Sequence, residues 1–257
     1  MTSLSATSVS FSAGAKTIVR DVSLETGAGE MTAIIGPNGA GKSTLMEMLA
    51  GFLRATSGEV RVGGEPVDRI AVDQLARLRA YLMPDLMRTI RFTVREVVDM
   101  GRHPWTSRGD RDPGPTDLAL EAMDLKDLAS HVFATLSTGE ARRTQIARVL
   151  AQSVNIMLLD EPTSGLDIAH SELVLDSLQR SARSGAAVVC VIHDLNAAAQ
   201  VVDRMILLAH GAVVADGPPE DVLTEELLTN VYEHPIRVRR HPFREGLLVL
   251  PDAGAEL

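Results

Sequence analysis

Four apolar runs punctuate the chain: 31-MTAII-35, 154-VNIMLL-159, 187-AVVCVI-192 and 205-MILLA-209. None alternates with period two, which is the pattern of strands covered on both faces. Helical spacing follows three of them, over 41–52, 168–182 and 195–202. That order predicts a parallel α/β sheet with crossover helices. Residues 1–30 and 58-GEVRVGGEPV-67 instead alternate and carry Gly-rich turns, predicting an antiparallel β-layer. Between 93 and 150 the spacing is mostly helical. The stretch 103-HPWTSRGDRDPGPTD-117 interrupts it as an exposed loop, and helices resume over 118–125 and 138–151. The chain therefore reads as one domain. Its core and β-layer come from 1–85 and 151–217, an inserted helical subdomain from 86–150, and a mixed C-terminal extension from 218–257.

Composition narrows the class. The 257 residues are 45% hydrophobic, enough for a substantial core, and 23% charged. A net charge of −9 argues against a broad nucleic-acid-binding face. Cys190 is the sole cysteine, so no internal disulfide and no cysteine metal cluster can form. The N-terminus lacks the basic start and apolar segment of a signal peptide. No run reaches the ~18 apolar residues of a membrane span. These features predict a cytoplasmic protein, unless a partner holds it at a membrane.

The segment 36-GPNGAGKST-44 fits G-x-x-x-x-G-K-[ST] between a predicted strand and a predicted helix. Gly36, Gly39 and Gly41 let the backbone wrap a phosphate closely, with Pro37, Asn38 and Ala40 completing the loop. Its N–H groups and the following helix favour an anion. Lys42 then reaches the β- and γ-phosphates, Ser43 offers its hydroxyl to Mg²⁺, and Thr44 can bond a phosphate oxygen. A second segment, 156-IMLLDE-161, ends a buried strand with two carboxylates. Ligands of open α/β sheets sit beyond the strand C-termini, which puts Asp160 and Glu161 near the loop. Asp160 suits Mg²⁺, and Glu161 suits a general base acting on water.

A phosphate loop with two acids fits a kinase, a GTPase or a motor. The stretch 136-LSTGEARR-143 decides among them, because it closely resembles the LSGGQ-type signature of ATP-binding cassette (ABC) ATPases. Downstream, 164-SGLD-167 resembles that family's D-loop, and His193 in 192-IHD-194 its switch histidine. The resemblance covers essentially the whole chain. It implies a P-loop NTPase fold, ATP and Mg²⁺ as ligands, and a head-to-tail homodimer clamping two nucleotides. Each site would pair one chain's loop with the signature of the other, Ser137, Thr138, Gly139 and Glu140, and Asp167 of the D-loop-like stretch is counted among the nucleotide-binding residues. The local physics agrees, since Ser137 and Gly139 open a helix whose N–H groups favour an anion. Ser137 with Glu140 also fits a plain capping box.

Three further stretches, 92-FTVREVVDMGRHPW-105, 147-ARVLAQ-152 and the segment from His193 to Thr224, look like ATPases of iron-siderophore, haem and cobalamin importers. The segments 168-IAHSE-172 and 231-VYEHPIRVRRHPFREGLLVLP-251 most resemble haem importers. That similarity accounts for His234 and His241 without making them haem ligands. An importer implies two polytopic permease subunits, indirectly a substrate-binding protein, no nucleic acid, and a peripheral place on the cytoplasmic face of the inner membrane. The alternative is a soluble ABC protein, such as an iron–sulfur assembly factor. Docking to a permease would use 81–105, where Leu86, Met87 and Ile90 suit an apolar groove, while Phe92 is assigned to core packing.

Two positions depart from the family. Ala13 stands where an aromatic residue stacks on adenine, unless Phe11 replaces it. Pro84 stands where a glutamine contacts the metal and water. Proline has no side-chain donor or acceptor. Asp85 beside it either offers an oxygen to Mg²⁺ or is a solvated loop acid.

Overall fold

A computed structural model describes residues 3–83, 91–106, 109, 112–243 and 246–252. Pro84, Asp85, Leu86, Met87 and Ile90 lie outside the described residues, and with them the question of the missing glutamine.

The chain opens with strands β1 (Leu4–Ala13) and β2 (Lys16–Thr26), joined by a tight turn, and enters the core as β3 (Met31–Ile35). Helix α1 (Lys42–Leu49) leads to β4 (Ser57–Val62) and β5 (Glu65–Pro66). These pair with the first hairpin in the order β2-β1-β4-β5, the antiparallel layer that alternation predicts. Helix α2 (Val72–Leu78) and strand β6 (Arg79–Leu82) return the chain to the core.

Helices α3 (Val94–Asp99), α4 (His103–Thr106), α5 (Gly114–Ala122) and α6 (Thr138–Ala151) follow. Then come β7 (Ile156–Asp160), α7 (Ile168–Arg183), β8 (Ala187–Val191), α8 (Leu195–Val201), β9 (Arg204–Ala209) and β10 (Ala212–Gly217). The central sheet runs β10-β9-β3-β8-β7-β6, parallel except for β10. Strands β3, β7 and β8 are buried at every position, which is why their sequences do not alternate. Two apolar clusters fill its two sides: one under the β-layer and α1, the other under α3, α5, α6, α7 and α8. The C-terminal segment holds α9 (Pro219–Val222), α10 (Glu225–Tyr232) and the hairpin β11 (Ile236–Arg240) with β12 (Leu247–Pro251).

Some boundaries move from the sequence-based expectation. Helix α5 starts at Gly114, four residues before 118, because Pro113 sits at its N-cap and Pro115 lies in the first turn, where proline is tolerated. Helix α1 stops at Leu49, since Gly51 turns left-handed at φ 75°. Phe92 is corrected: the residue is 44% exposed, not packed in the core. What its segment contributes is backbone pairing, with the Phe92 carbonyl accepting from Phe133 N–H at 2.8 Å.

Candidate nucleotide site

The turn from β3 into α1 is where glycine is sterically required. Gly36 has φ 141°, and a Cβ there would lie 2.0 Å from the Leu208 carbonyl oxygen. Gly41 has φ 98°, and its Cβ would lie 2.7 Å from the Ile18 carbonyl oxygen. Any side chain at either position would force the loop off strand β9 or strand β2. Ala40 N–H bonds the Pro37 carbonyl at 3.2 Å, and Gly211 N–H bonds the Ala40 carbonyl at 3.1 Å. The β9–β10 turn thus braces the loop from behind.

Lys42 is almost fully buried, and its ammonium donates to the carbonyls of Gly36 at 2.8 Å and Pro37 at 2.9 Å. Burial lowers its pKa, while Glu161 and Asp160 pull the other way. A cleft of about 650 Å³ opens over the loop. Asn38, Gly39, Gly41, Lys42, Ser43 and Thr44 line it, with Glu161 and His193 on its rim. Gly36, Pro37 and Ala40 lie behind, shaping the loop. The cleft also takes in Lys16, Thr17, Ile18, His210 and Gly211, which sequence reading missed. No local pattern marks them; they arrive through the β2 edge and the β9–β10 turn. Ala13 is not in this lining, and Phe11 packs against the cluster beneath the β-layer instead.

Asp160 closes β7 fully buried. Neither carboxylate oxygen has a hydrogen-bond partner of normal geometry. Burial pushes its pKa up, although the Ser43 hydroxyl lies close enough to pull it down in part. Two orphaned buried oxygens beside a hydroxyl fit a hard divalent cation, which takes oxygen ligands and keeps several waters. Among the described residues no group of three His, Cys, Asp or Glu side chains could hold a metal alone. A cation here would therefore depend on nucleotide and water for its other ligands.

Glu161 follows in a left-handed conformation, φ 52°, sparsely populated for a residue with a side chain. Its Oε1 meets His193 Nε2 at 2.7 Å. With the carboxylate ionised the shared proton resides on Nε2, leaving Oε2 uncommitted to that contact.

The signature residues lie elsewhere. Ser137 caps α6 in a full capping box: Glu140 Oε2 accepts from Ser137 N–H at 2.8 Å and from its hydroxyl at 2.7 Å. Ser137 in turn holds the Glu140 carboxyl below the usual range. Gly165, at φ 76°, lies so near Thr138 that a Cβ on it would sit 3.2 Å from the Thr138 methyl. The Thr138 methyl, at the third residue of 136-LSTGE-140 where the LSGGQ-type signature has a glycine, is thus turned toward the loop that ends at Asp167. Asp167 caps α7, accepting from His170 N–H at 2.9 Å. Ser137, Thr138, Gly139, Glu140 and Asp167 are all absent from the cleft lining of their own chain, among the described residues.

A phosphate loop on a parallel sheet, an unpaired acid at the end of β7, one strand removed from β3, and a separate capped helix define a P-loop nucleotide-binding protein. The chain belongs to the ABC transporter family, whose model matches residues 19–164. It is 48% identical over 239 residues to the hemin import ATP-binding protein of Nocardia farcinica, covering 92% of this chain and 83% of that one. The corresponding protein of Streptomyces coelicolor is 44% identical over 240 residues, covering 93% and 86%. A bacterial ABC transporter cassette solved as a dimer superposes with a TM-score of 0.74 at 26% identity, covering 84% of this chain and 98% of that one. ATP is the ligand of this family's loop. Among the described residues no helix is long and apolar enough to cross a membrane.

Proposed function

We propose that the chain hydrolyses ATP to power a haem importer. The meeting of Glu161 and His193 at 2.7 Å on the rim of the phosphate-loop cleft carries the hydrolytic part of this reading. Glu161 acts as general base: it takes a proton from water as the water oxygen bonds the γ-phosphorus and the bond to the β-phosphate oxygen breaks. His193 orients the Glu161 carboxylate through its Nε2–H, and with ATP bound that one proton turns to the γ-phosphate instead, releasing the carboxylate to the water. Lys42 and the loop N–H groups of 36–44 neutralise the developing charge. Ser43 and Asp160 would hold Mg²⁺, which would supply positive charge against the phosphates.

Ser137, Thr138, Gly139, Glu140 and Asp167 are absent from the lining of this cleft, which supports their serving the site of a second copy. The working unit is then a homodimer on two permease subunits, fed by a substrate-binding protein, at the inner face of the inner membrane. Residues 86–150 are taken as a helical subdomain inserted between the two parts of the core, 1–85 and 151–217. The relatives' names support haem as the cargo.

The test is ATP turnover and haem uptake by the complex with its permease in vesicles. Glu161→Gln is expected to lower turnover by about 10²-fold or more. A Glu161→Gln complex as active as wild type would sink the general-base assignment. Uptake of a ferric siderophore or cobalamin in place of haem would overturn the cargo.

A further inference from the structure

Arg142 lies on the second turn of α6, five residues after its cap. It is 2% exposed, a fully buried guanidinium in a helix whose sequence gives it no evident role. It points into the sheet. Nη2 donates to the carbonyl of Asp160 at 2.7 Å and to that of Glu161 at 2.5 Å, and Nη1 donates to the carbonyl of Met83 at 3.0 Å. Three carbonyls from two strand ends, β7 and β6, therefore converge on one side chain. Arg143, the next residue, points the opposite way and bonds the carbonyls of Met123 and Asp124 at 2.6 and 2.8 Å. The two arginines fasten α6 to different bodies: one to the sheet, the other to the end of α5.

The fastening to the sheet falls where the backbone is least at ease. Glu161 is in the left-handed region, a conformation that costs of order 1 kcal/mol or more for a residue with a Cβ and persists only where neighbours hold it. Charge-assisted bonds to the carbonyls on both sides of that φ angle supply the hold. This turn also directs the Glu161 carboxylate to His193, 2.7 Å away. Burial of a guanidinium among neutral carbonyls is costly unless its charge is also answered, and among the described residues the fields of Asp160 and Glu161 reach it.

We propose that Arg142 is a positioning residue: it fixes the turn at Glu161 and so aims the hydrolytic carboxylate. Since it sits on α6, it ties that carboxylate to the helix whose N-terminus the same chain presents to the opposite site. A shift of α6 on engaging a second copy's nucleotide is thereby felt at Glu161 of its own site. This inference rests on the reading of Glu161 as general base and on sites shared between two copies.

The experiment measures kcat and KM for ATP in the permease complex for Arg142→Gln, Arg142→Lys, Arg143→Gln and Glu161→Gln, and for Arg142→Gln combined with Glu161→Gln. Arg142→Gln is expected to lower kcat by about tenfold or more with KM within about twofold, the signature of lost transition-state alignment rather than lost binding. Arg142→Lys keeps the charge but not the fork and falls between. If Arg142→Gln does not fold, Arg142→Lys carries the comparison alone. Arg143→Gln is the control for a merely structural fastening and should keep kcat within about threefold. In the Glu161→Gln background the Arg142→Gln change should have almost no further effect on the residual rate, because the two act as a unit. Three results would each overturn the proposal: a kcat loss below about fivefold, an equal loss in Arg143→Gln, or a full additional loss on top of Glu161→Gln. A fully active Glu161→Gln complex removes the general-base reading and this inference with it. A dead Glu161→Gln complex beside an unaffected Arg142→Gln complex removes this inference only.

Discussion

Asp160 carries a carboxylate into the interior with no hydrogen bond of normal geometry to either oxygen. Such a group works against the fold until a cation reaches it. Its pKa is raised chiefly by burial, with Glu161 adding to the effect and Ser43, Arg142 and Lys42 opposing it. A carboxyl with a raised folded-state pKa binds its proton more tightly when folded than when unfolded. The contribution of Asp160 to stability is therefore most favourable below the unfolded value of 3.8 and is lost as pH rises through the folded one. Asp160→Asn removes the charge at nearly constant shape. In Mg²⁺-free buffer near neutral pH it is expected to raise the thermal midpoint, by ~2–4 °C for a gain of about 1 kcal/mol in a protein of this size. The gain should shrink as pH falls toward 4, and added Mg²⁺ with ATP should stabilise wild type but not the variant. Thermal scans across pH check both, and a lower midpoint for Asp160→Asn at neutral pH would refute the account. That Asp160 ends a buried strand is legible in 156-IMLLDE-161. That its oxygens lack partners is not, because the answer depends on α1 and α6 packed from elsewhere.

Elements declare their ends where a local group satisfies the backbone. Thr93 with Glu96, and Ser137 with Glu140, form capping boxes at the predicted starts of α3 and α6. The C-terminal hairpin could be read only as mixed, since its anchoring is non-local. Glu225, in the first turn of α10, accepts from Val238 N–H at 2.9 Å and pairs with Arg239 and Arg237. The Val238 N–H, and then the Arg239 guanidinium, hold its carboxyl below the usual range. A depressed folded pKa contributes stability that is complete above the ordinary glutamate value of 4.5 and lost as pH falls through the folded one. From the other side, Asn196 brackets Val249 of β12, giving to its carbonyl at 3.0 Å and receiving its N–H at 2.7 Å. Acidification should thus loosen β11 before β12. Hydrogen-exchange protection of the Val238 amide is expected to hold above about pH 4.5 and to fall as pH drops below it, while that of Val249 persists. In Glu225→Ala the Val238 protection should already be low at neutral pH. Protection at Val238 that does not change with pH in wild type would contradict this.

At the scale of the molecule, two features of the proposed function lie apart: a cleft at 36–44 with Glu161 and His193, and a capped helix at Ser137 that is absent from the lining of that cleft. Sequence spacing announces both halves, but linear order cannot say whether one chain closes them on each other. The geometry gives that question a sharp test. If the sites are shared between two copies, a chain with Lys42→Ala keeps a working signature helix, and a chain with Ser137→Arg keeps a working phosphate loop. Each variant alone forms only dimers in which both sites are broken. A mixed dimer holds one site with both defects and one site with neither, built from the loop of the Ser137→Arg chain and the helix of the Lys42→Ala chain. Mixing the two inactive proteins with the permease is therefore expected to restore ATP turnover. With random pairing about half of the dimers are mixed, each with one intact site, so turnover should approach about a quarter of wild type if sites act independently, and less if both must fire together. Sites closed within one chain would give no recovery at any mixing ratio. The two variants are chosen to damage different steps: Lys42→Ala removes the buried ammonium that meets phosphate, and Ser137→Arg fills the start of α6 while leaving the cleft of its own chain untouched. Recovery would thus show both that the halves belong to different chains and that Ser137 acts on a nucleotide it does not itself cradle.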